Sequence, residues 1–228
     1  MIFEQLFDEK SSTYTYIIAS GEGREALIID PVIEHSDEYS TILKNLDLKL
    51  VKVIDTHIHA DHISALNELN KRTNCIRVMG EKSKSEVIDL RIKDGEKINV
   101  EEVELQAIYT PGHTDCSYSF LMNDRVFTGD TLLINGSGRT DFQNGNAYDS
   151  IFNKLLKLPE KTFVFPAHDY NGKKFSTIEN EKNNNPRLQV SSKEEYADIM
   201  NNLNLANPKM MDVAVPANVK GLTLDNIN

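Results

Sequence analysis

The amino-acid sequence predicts one domain in which β-strands alternate with α-helices. Short segments rich in β-branched and aromatic residues, such as 12–20 and 25–32, indicate strands. Other segments place apolar residues three or four positions apart, which indicates amphipathic helices. No repeat, low-complexity tract or linker interrupts the 228 residues, so we expect a single domain over residues 1–228.

The same patterns place the individual elements along the chain. Strands are expected at 12–20, 25–32, 48–55, 103–110, 117–122, 125–130 and 162–170. Helices are expected at 35–46, 60–72, 147–158 and 191–203. Ser36 is the expected N-cap of the first helix, and Ser192 with Glu195 has the spacing of a capping box. The polar segment 179–187 is the loosest part of the chain.

Composition limits the classes of partner. The net charge of −10 argues against nucleic acid or an anionic membrane as the main partner. No segment approaches the ~18 consecutive apolar residues of a membrane span. The first residues lack the basic start and apolar stretch of a signal peptide. The two cysteines, Cys75 and Cys116, do not form a disulfide framework, so we expect a reducing, cytoplasmic location.

Residues 53–62, VIDTHIHADH, hold three of the six histidines. His57, His59 and His62 lie two and three positions apart, with Asp61 before the last. A lone histidine in a loop is usually an ordinary polar residue, but clustered histidines with an aspartate between them rarely serve packing. This pattern predicts a metal site.

Three further strands also end in a residue that can bind a metal. Segment 103–110 leads to His113, 125–129 to Asp130 and 162–167 to His168, so only His35 lies elsewhere. Side chains at one edge of a sheet converge more easily than side chains spread along helix faces. Imidazole and carboxylate ligands suit zinc, iron or manganese, and the absence of clustered cysteines argues against an iron–sulfur or zinc-finger site.

This ligand order resembles the metallo-β-lactamase superfamily over nearly the full chain. Segments 6–19, 128–145, 166–172, 185–188 and 212–221 are most similar to the persulfide dioxygenases within that superfamily. The resemblance implies an α+β fold, the αββα sandwich of two mixed sheets flanked by helices, with the metal cleft at one edge. The chain departs from the family pattern at Asn135 and Ser137, where arginine and cysteine are frequent.

The resemblance also assigns roles to the metal-edge residues. It implies one Fe(2+) per chain, held by His57, His113 and Asp130, with three coordination positions left open. The remaining residues of the pattern are expected to orient the ligands and water by hydrogen bonds: His59, Asp61, His62 and His168. The implied reaction oxidises the outer sulfur of a small-molecule persulfide with O2 to sulfite, without an organic cofactor. A homodimer is implied as well.

The persulfide carrier is expected to be glutathione, coenzyme A, bacillithiol or a similar thiol. Arg139, Tyr170 and Lys220 are its candidate contacts, and Arg139 has the guanidinium group that holds a carboxylate with two hydrogen bonds. A structural ion pair of Arg139 with the Asp130 loop or with Asp141 is the alternative. Cys116 is expected to be a small buried residue and not a thiolate ligand.

Two other functions remain to be weighed. A glyoxalase II-like enzyme would cleave glutathione thioesters with two metals, and every ligand position it needs is present. Such proteins carry an additional helical domain after the last metal histidine, whereas 60 residues follow His168 here, so we expect the dioxygenase. A non-catalytic metal-binding module is the third class, and the intact ligand set argues against it.

Overall fold

The computed structural model describes residues 1–140, 144–203, 205 and 208–227. The strands in these ranges are β1 (Ile2–Asp8), β2 (Thr13–Ala19), β3 (Glu25–Ile29), β4 (Lys49–Ile54), β5 (Ile76–Gly80), β6 (Leu90–Ile92), β7 (Lys97–Val100), β8 (Val103–Tyr109), β9 (Tyr118–Met122), β10 (Arg125–Gly129), β11 (Phe163–Pro166) and β12 (Ser176–Thr177). The helices are α1 (Ser36–Asn45), α2 (Leu66–Thr73), α3 (Asn144–Tyr148), α4 (Ile178–Asn184), α5 (Lys193–Asn201), α6 (Met211–Lys220) and α7 (Leu224–Ile227).

The strands form two mixed sheets of six. The first sheet has the order β1-β2-β3-β4-β5-β6, and the second has the order β12-β11-β10-β9-β8-β7. In the first sheet the pairs β1–β2 and β2–β3 are antiparallel. The pairs β3–β4, β4–β5 and β5–β6 are parallel. In the second sheet only β10 and β11 pair in parallel. The predicted αββα sandwich is confirmed.

The alternation of side chains along the strands explains how the layers pack. In β2, Tyr16 and Ile18 face the core between the two sheets, while Ile17 and Ala19 face the helical layer on the other side. Because both faces are covered, every residue of β2 is buried, and the strand is a continuous run of mostly apolar residues. A third apolar cluster joins the outer face of the second sheet to α3, α4 and α5.

Several details of the sequence prediction are wrong. The helix expected at 147–158 is α3 followed by a π-helical turn at Asp149–Lys154 and a 3₁₀ turn at Leu155–Lys157. The segment expected to be loosest, 179–187, contains most of α4. Ser36 is the first residue of α1 and not its N-cap, and its hydroxyl donates to the carbonyl of Ile33 at 2.6 Å. The capping serine of α5 is confirmed, since the Ser192 side chain accepts the N–H of Glu195.

The site is at the edge where β4, β8, β10 and β11 end. The chain leaves each of these strands into a loop that carries one predicted metal residue or more. Helix α2 begins only at Leu66, so 60–65 is loop and not the helical turn expected from the sequence. Within the described ranges, no helix is long and apolar enough to cross a membrane.

Candidate metal centre

The strand ends bring His57, His113 and Asp130 together. One ligand atom from each lies within 4.8 Å of the others. Nε2 of His113 is 3.4 Å from Oδ2 of Asp130, and Nε2 of His57 is 3.8 Å from the same oxygen. Two ligands at about 2.1 Å from one ion are roughly 3.0–3.4 Å apart, so small movements would close these three atoms onto a metal.

A hydrogen-bond chain fixes which nitrogen of His57 faces the site. The Thr56 hydroxyl donates to Oδ2 of Asp30 at 3.0 Å, so its oxygen is free to accept the Nδ1–H of His57 at 2.9 Å. Asp30 has a φ of 50°, a left-handed conformation that aspartate tolerates, and its other oxygen accepts the N–H of Thr56. The lone pair of His57 is therefore on Nε2, which points to Asp130.

The loop after Asp130 fixes His113 in the same way. The carbonyl of Arg139 can only accept, so Nδ1 of His113, 3.0 Å away, carries the proton and Nε2 carries the lone pair. Gly138 allows this close approach, because a Cβ there would lie 2.3 Å from the carbonyl oxygen of Asp130 and 2.8 Å from the His113 ring. The glycine before Arg139 thus has a direct role in orienting a metal ligand.

The electrostatics of the site favour the metal-binding protonation states. Burial, and then the positive charge of His59, hold the pKa of His57 well below its usual value. Burial would raise the pKa of Asp130, but the charge of His168 and its hydrogen bond lower it. A neutral imidazole and an ionised carboxylate are the forms that bind a divalent cation.

His168 is engaged by two carboxylates. Its Nδ1 lies 2.6 Å from Oδ1 of Asp130 and its Nε2 lies 2.8 Å from Oδ2 of Asp61. Burial opposes the charged form, yet the charge and hydrogen bond of Asp130 raise the pKa of His168 well above its usual value. A doubly protonated ring has no lone pair for a metal, so this geometry supports the orienting role predicted for His168.

A second group of potential ligands adjoins the first. His59, Asp61 and His62 also bring one ligand atom each within 4.8 Å of one another. Nδ1 of His59 and Nε2 of His62 are buried and have no hydrogen-bond partner among the described residues. Nδ1 of His62 lies 3.1 Å from Oδ2 of Asp61. Burial would lower the pKa of His59, but the charge and hydrogen bond of Asp30 raise it to about 9.

A side chain of helix α6 holds the histidine loop, residues 57–64, in place by hydrogen bonds. The Asn218 side-chain amide donates to the carbonyls of His59 at 2.9 Å and His62 at 3.0 Å. Its oxygen accepts the N–H of Ser64 at 2.9 Å. One side chain from the C-terminal part of the chain therefore satisfies three backbone groups of the loop.

The loop from 133 to 139 is held by the segment that follows α4. Asn185 donates to the carbonyl of Gly136 at 2.9 Å, and the Arg187 guanidinium donates to the carbonyl of Ser137. Both departures from the family pattern lie in this loop. The N–H of Asn135 donates to Glu181, and the Ser137 hydroxyl lies 3.3 Å from that of Tyr196.

Two cavities open beside the metal residues. The larger, of about 440 Å³, is lined by Asp61, Asp130, His168, Tyr170 and Arg187 among others. The smaller, of about 270 Å³, has mostly apolar walls with two lysines: Ile58, Lys82, Lys84, Cys116, Met211, Val215 and Val219. Ala60, His113, Arg139 and Pro208 line both cavities.

The three predicted substrate residues differ in their position. Half-buried Arg139 lines both cavities. Tyr170 is 71% exposed and its ring stacks on that of His168, with 6.2 Å between the centroids. Lys220 is exposed at the end of α6 and lines neither cavity. Asp141, the alternative partner of Arg139, is outside the described residues.

Cys116 is buried as expected, and its sulfur accepts the N–H of Ile58 at 3.4 Å. Burial raises the pKa of its thiol, so the thiolate that would bind a metal is disfavoured. It is absent from the potential ligand groups found among the described residues.

The sequence profile of the metallo-beta-lactamase superfamily matches residues 9–168. Mouse "Persulfide dioxygenase ETHE1, mitochondrial" is 42% identical over 226 residues, which cover 96% of this chain and 88% of the relative. The chain belongs to the persulfide dioxygenase family of the metallo-β-lactamase superfamily. The crystal structure of ETHE1 from Myxococcus xanthus superimposes on this chain with a TM-score of 0.93 and 47% sequence identity. The match covers 96% of this chain and 98% of that structure.

A hydroxyacylglutathione hydrolase is less similar to this chain in sequence. Hydroxyacylglutathione hydrolase of Dictyostelium discoideum is 28% identical over 183 residues, which cover 75% of this chain and 68% of the relative. The resemblance inferred from the sequence motifs is therefore confirmed at the level of the family.

Four residues that contact the site were not singled out from the sequence: Thr13, Asp30, Arg187 and Asn218. Arg187 and Asn218 lie inside the segments 185–188 and 212–221 that carry the family resemblance, so that signal was available. Thr13 lies inside segment 6–19, which also carries the resemblance. Asp30 has no motif of its own, and only the folded chain brings it to the histidines.

Proposed function

We propose that this chain is a persulfide dioxygenase with one Fe(2+) held by His57, His113 and Asp130. The observation that carries the proposal is the convergence of two Nε2 lone pairs and one carboxylate oxygen in a member of this family. Two histidines and one carboxylate are the ligand set of non-haem iron oxygenases, because they leave open positions for substrates. When bound, Fe(2+) would supply the one-electron steps that triplet dioxygen requires.

The residues of the chain would prepare and hold the reactants. Thr56 and the Arg139 carbonyl keep the lone pairs of His57 and His113 on Nε2. His168 keeps Oδ1 of Asp130 occupied, so Oδ2 faces the two histidines. Arg139 and Tyr170 would hold the carrier thiol in the larger cavity, whose volume is within the range of small-molecule sites. Lys220 would have to reach the carrier from outside the cavity walls.

The overall reaction balances without an external reductant. A persulfide anion, one dioxygen and one water give a thiol, a sulfite dianion and a proton. The outer sulfur loses four electrons and dioxygen gains them. The sulfur–sulfur bond breaks, and water supplies the third oxygen of sulfite.

The carrier is proposed to be glutathione or a similar anionic thiol. Cationic side chains line the cavities although the whole chain has a net charge of −10: Lys82, Lys84, Arg139 and Arg187. Guanidinium groups hold carboxylates by paired hydrogen bonds, so the walls suit a carrier with carboxylate groups.

A two-metal thioester hydrolase is the second candidate. The group of His59, Asp61 and His62 favours it, because these side chains could hold another ion next to the first. The two carboxylate contacts of His168 argue against it, since a second ion would need lone pairs there.

The decisive experiment combines metal analysis with two activity assays. Protein from iron-replete cells should contain about one iron per chain. With glutathione persulfide it should consume O2 and form sulfite, and it should hydrolyse S-lactoylglutathione slowly or not at all. Two tightly held metals with fast thioester hydrolysis and no O2 uptake would instead establish the hydrolase.

A homodimer and a cytoplasmic location complete the proposal. Both cysteines are free and buried, which is compatible with a reducing compartment. The mouse and human relatives are named as mitochondrial proteins. Light scattering of the purified protein and fractionation of the native host test these two points.

A further inference from the structure

The sequence contains three Asn–Gly pairs, and one of them lies beside the larger cavity. An asparagine side chain that precedes glycine is open to attack by the next backbone nitrogen, because glycine has no side chain to hinder the approach. The pairs are Asn135–Gly136, Asn144–Gly145 and Asn171–Gly172. The last of them, here called the cavity pair, is in the loop after β11, and Asn171 lines the larger cavity.

The turn around the cavity pair leaves the reacting groups free. Oδ2 of Asp169 accepts the N–H of Asn171 at 2.9 Å and that of Lys173 at 2.7 Å. The N–H of Gly172, between them, has no hydrogen-bond partner among the residues that the structure describes, and neither has the Asn171 side chain. Both residues of the pair are exposed, so water reaches the side-chain amide and the neighbouring backbone nitrogen.

The backbone of Gly172 adds to this freedom. Its φ is 74°, a left-handed conformation that glycine adopts without strain. A Cβ built on Gly172 would have no described atom within 4 Å. Because nothing in the described part of the chain packs against the glycine, the backbone can make the small movement that ring closure with the Asn171 side chain needs.

The other two Asn–Gly pairs are held differently. Gly136 is buried, and its N–H donates to the carbonyl of Leu133 at 3.2 Å. Oδ1 of Asn135 is buried as well. Asn144–Gly145 begins helix α3, and a helical backbone keeps the next nitrogen away from the side-chain carbon. The cavity pair is therefore the one that combines exposure with an unbonded glycine nitrogen.

We propose that Asn171 is a site of spontaneous deamidation, which places a carboxylate in the wall of the larger cavity. The backbone nitrogen of Gly172 attacks the side-chain carbonyl carbon of Asn171 and loses its proton, and ammonia leaves, so that a cyclic imide forms. Water then opens the imide at either carbonyl to give aspartate or isoaspartate. The net reaction consumes one water, releases one ammonium ion and involves no oxidation or reduction.

The new charge acts on the anionic carrier that is proposed to bind in this cavity, so this consequence rests on the proposed function. Arg139 and Arg187 line the same cavity, and a carboxylate at position 171 offsets their attraction for the carrier. Isoaspartate also adds one carbon to the main chain, between the two N–H groups that Asp169 holds, so the turn has to change. Deamidation therefore weakens carrier binding.

Mass spectrometry of the iron-loaded protein, incubated over days at mildly alkaline pH, tests the modification itself. The peptide that contains Asn171 should gain the mass difference between an amide and an acid, and it should become a substrate for an isoaspartyl methyltransferase. The peptide that contains Asn135 should keep its mass over the same period. In Asn171→Gln the longer side chain cyclises far more slowly, so its peptide should also keep its mass. An unchanged Asn171 peptide, or equal conversion at Asn135, would overturn the proposal.

Kinetics test the consequence for the carrier. Asn171→Asp should raise KM for glutathione persulfide about two- to fivefold, as expected for one added charge that is partly exposed, and high salt should reduce the difference. Fully deamidated wild-type protein should be affected at least as strongly. Asn171→Gln should have the same KM before and after incubation. Iron content should stay the same throughout, because no metal residue is altered.

The matched control is Asn202→Asp, which adds the same charge at an exposed helix end that lines neither cavity. It should leave KM unchanged. A complete mass gain at Asn171 with unchanged KM would overturn the effect on carrier binding. Fresh wild-type protein without O2 uptake would refute the proposed function instead, and the mass measurement would still decide whether Asn171 is deamidated.

Discussion

Nδ1 of His168 lies 2.6 Å from Oδ1 of Asp130. This contact occupies one carboxylate oxygen and leaves Oδ2 facing His57 and His113. Because Asp61 engages the other nitrogen, His168 orients Asp130, the proposed metal ligand, and offers no lone pair itself. The same pattern of residues that would hold two metals can therefore hold one.

Metal content should distinguish ligands from orienting residues. His57→Ala and Asp130→Ala should lose most of the iron, because each removes one of three protein ligands. His168→Ala should bind iron about 10–100-fold more weakly, as expected for loss of a residue that orients a ligand, and should retain it in iron-replete cells. Elemental analysis of the three purified variants measures this. Equal iron loss in all three would make His168 a direct ligand.

His62→Ala should keep iron and lose activity. Its Nδ1 contacts Asp61 and its ring lies outside the His57–His113–Asp130 group, so the ion keeps all three ligands. The variant should, however, disturb Asp61 and with it the surroundings of the substrate. Iron analysis and O2 uptake on one preparation test this. An empty site would show that His62 binds the metal directly.

The fold could be predicted from sequence where one physical signal dominated. Strands such as β2 and β3 are mostly apolar because both of their faces are buried, and a short apolar segment of this kind can be recognised from local sequence alone. The segment 147–158 has helical spacing, but spacing cannot distinguish α-helix from the π and 3₁₀ turns that packing on the sheet imposes. The polar segment 179–187 looked loose because α4 is stabilised by tertiary contacts, such as the burial of Ile178 and Glu181.

The metal residues could be predicted because strand ends meet at one edge of a sheet. Their partners could not, since the relevant contacts join distant parts of the chain. Thr13 and His168 are 155 positions apart, and Asn218 and His59 are 159 apart. The segment around Lys220 was correctly associated with the family, yet the contact it makes with the histidine loop is through Asn218.

Asn218→Ala should destabilise the protein and weaken metal binding. The change leaves the carbonyls of His59 and His62 and the N–H of Ser64 without their partner, at a cost of about 1–3 kcal/mol in the free energy of unfolding. Urea denaturation of the metal-loaded protein measures the loss. The control Asn202→Ala removes an exposed helix-end contact and should stay within about 0.5 kcal/mol. Equal effects of the two variants would contradict the fastening role of Asn218.

The Asp8–His35 contact should make stability depend on pH. Burial opposes the charged ring, but the hydrogen bonds to Asp8 and Glu38 raise the pKa of His35. The stabilising contribution of His35 is therefore fully present below about pH 6.5, the unfolded value, and is lost as the pH rises through the folded pKa. Burial would raise the pKa of Asp8, but the hydrogen bonds from Ser11 lower it. The contribution of Asp8 is therefore present above about pH 3.9, the unfolded value, and is lost as the pH falls through the folded pKa. His35→Gln should therefore lose more stability at about pH 5.5 than at about pH 8.5. Denaturation at both pH values tests this, and a loss independent of pH would contradict it.

Arg139 contacts His113 through its backbone carbonyl and also lines both cavities. The contributions of its backbone and its side chain can be tested separately. Its carbonyl accepts from His113, so a side-chain substitution keeps that contact. The residue lines both cavities, in which the carrier thiol is proposed to bind. Arg139→Lys keeps the charge but loses the paired hydrogen bonds, and should raise KM for glutathione persulfide.

Arg139→Ala should cost about 2–4 kcal/mol in kcat/KM, as expected when one partner of a partly buried charge pair is removed. Iron content and Tm should change little, because the His113 contact persists. Arg24→Ala, a cation that lines neither cavity, is the matched control and should leave KM unchanged. Lys220→Ala, measured in parallel, would raise KM if that side chain reaches the carrier from outside the walls. A destabilised, iron-poor Arg139→Ala with normal KM would mean that the arginine side chain holds the loop and not the substrate.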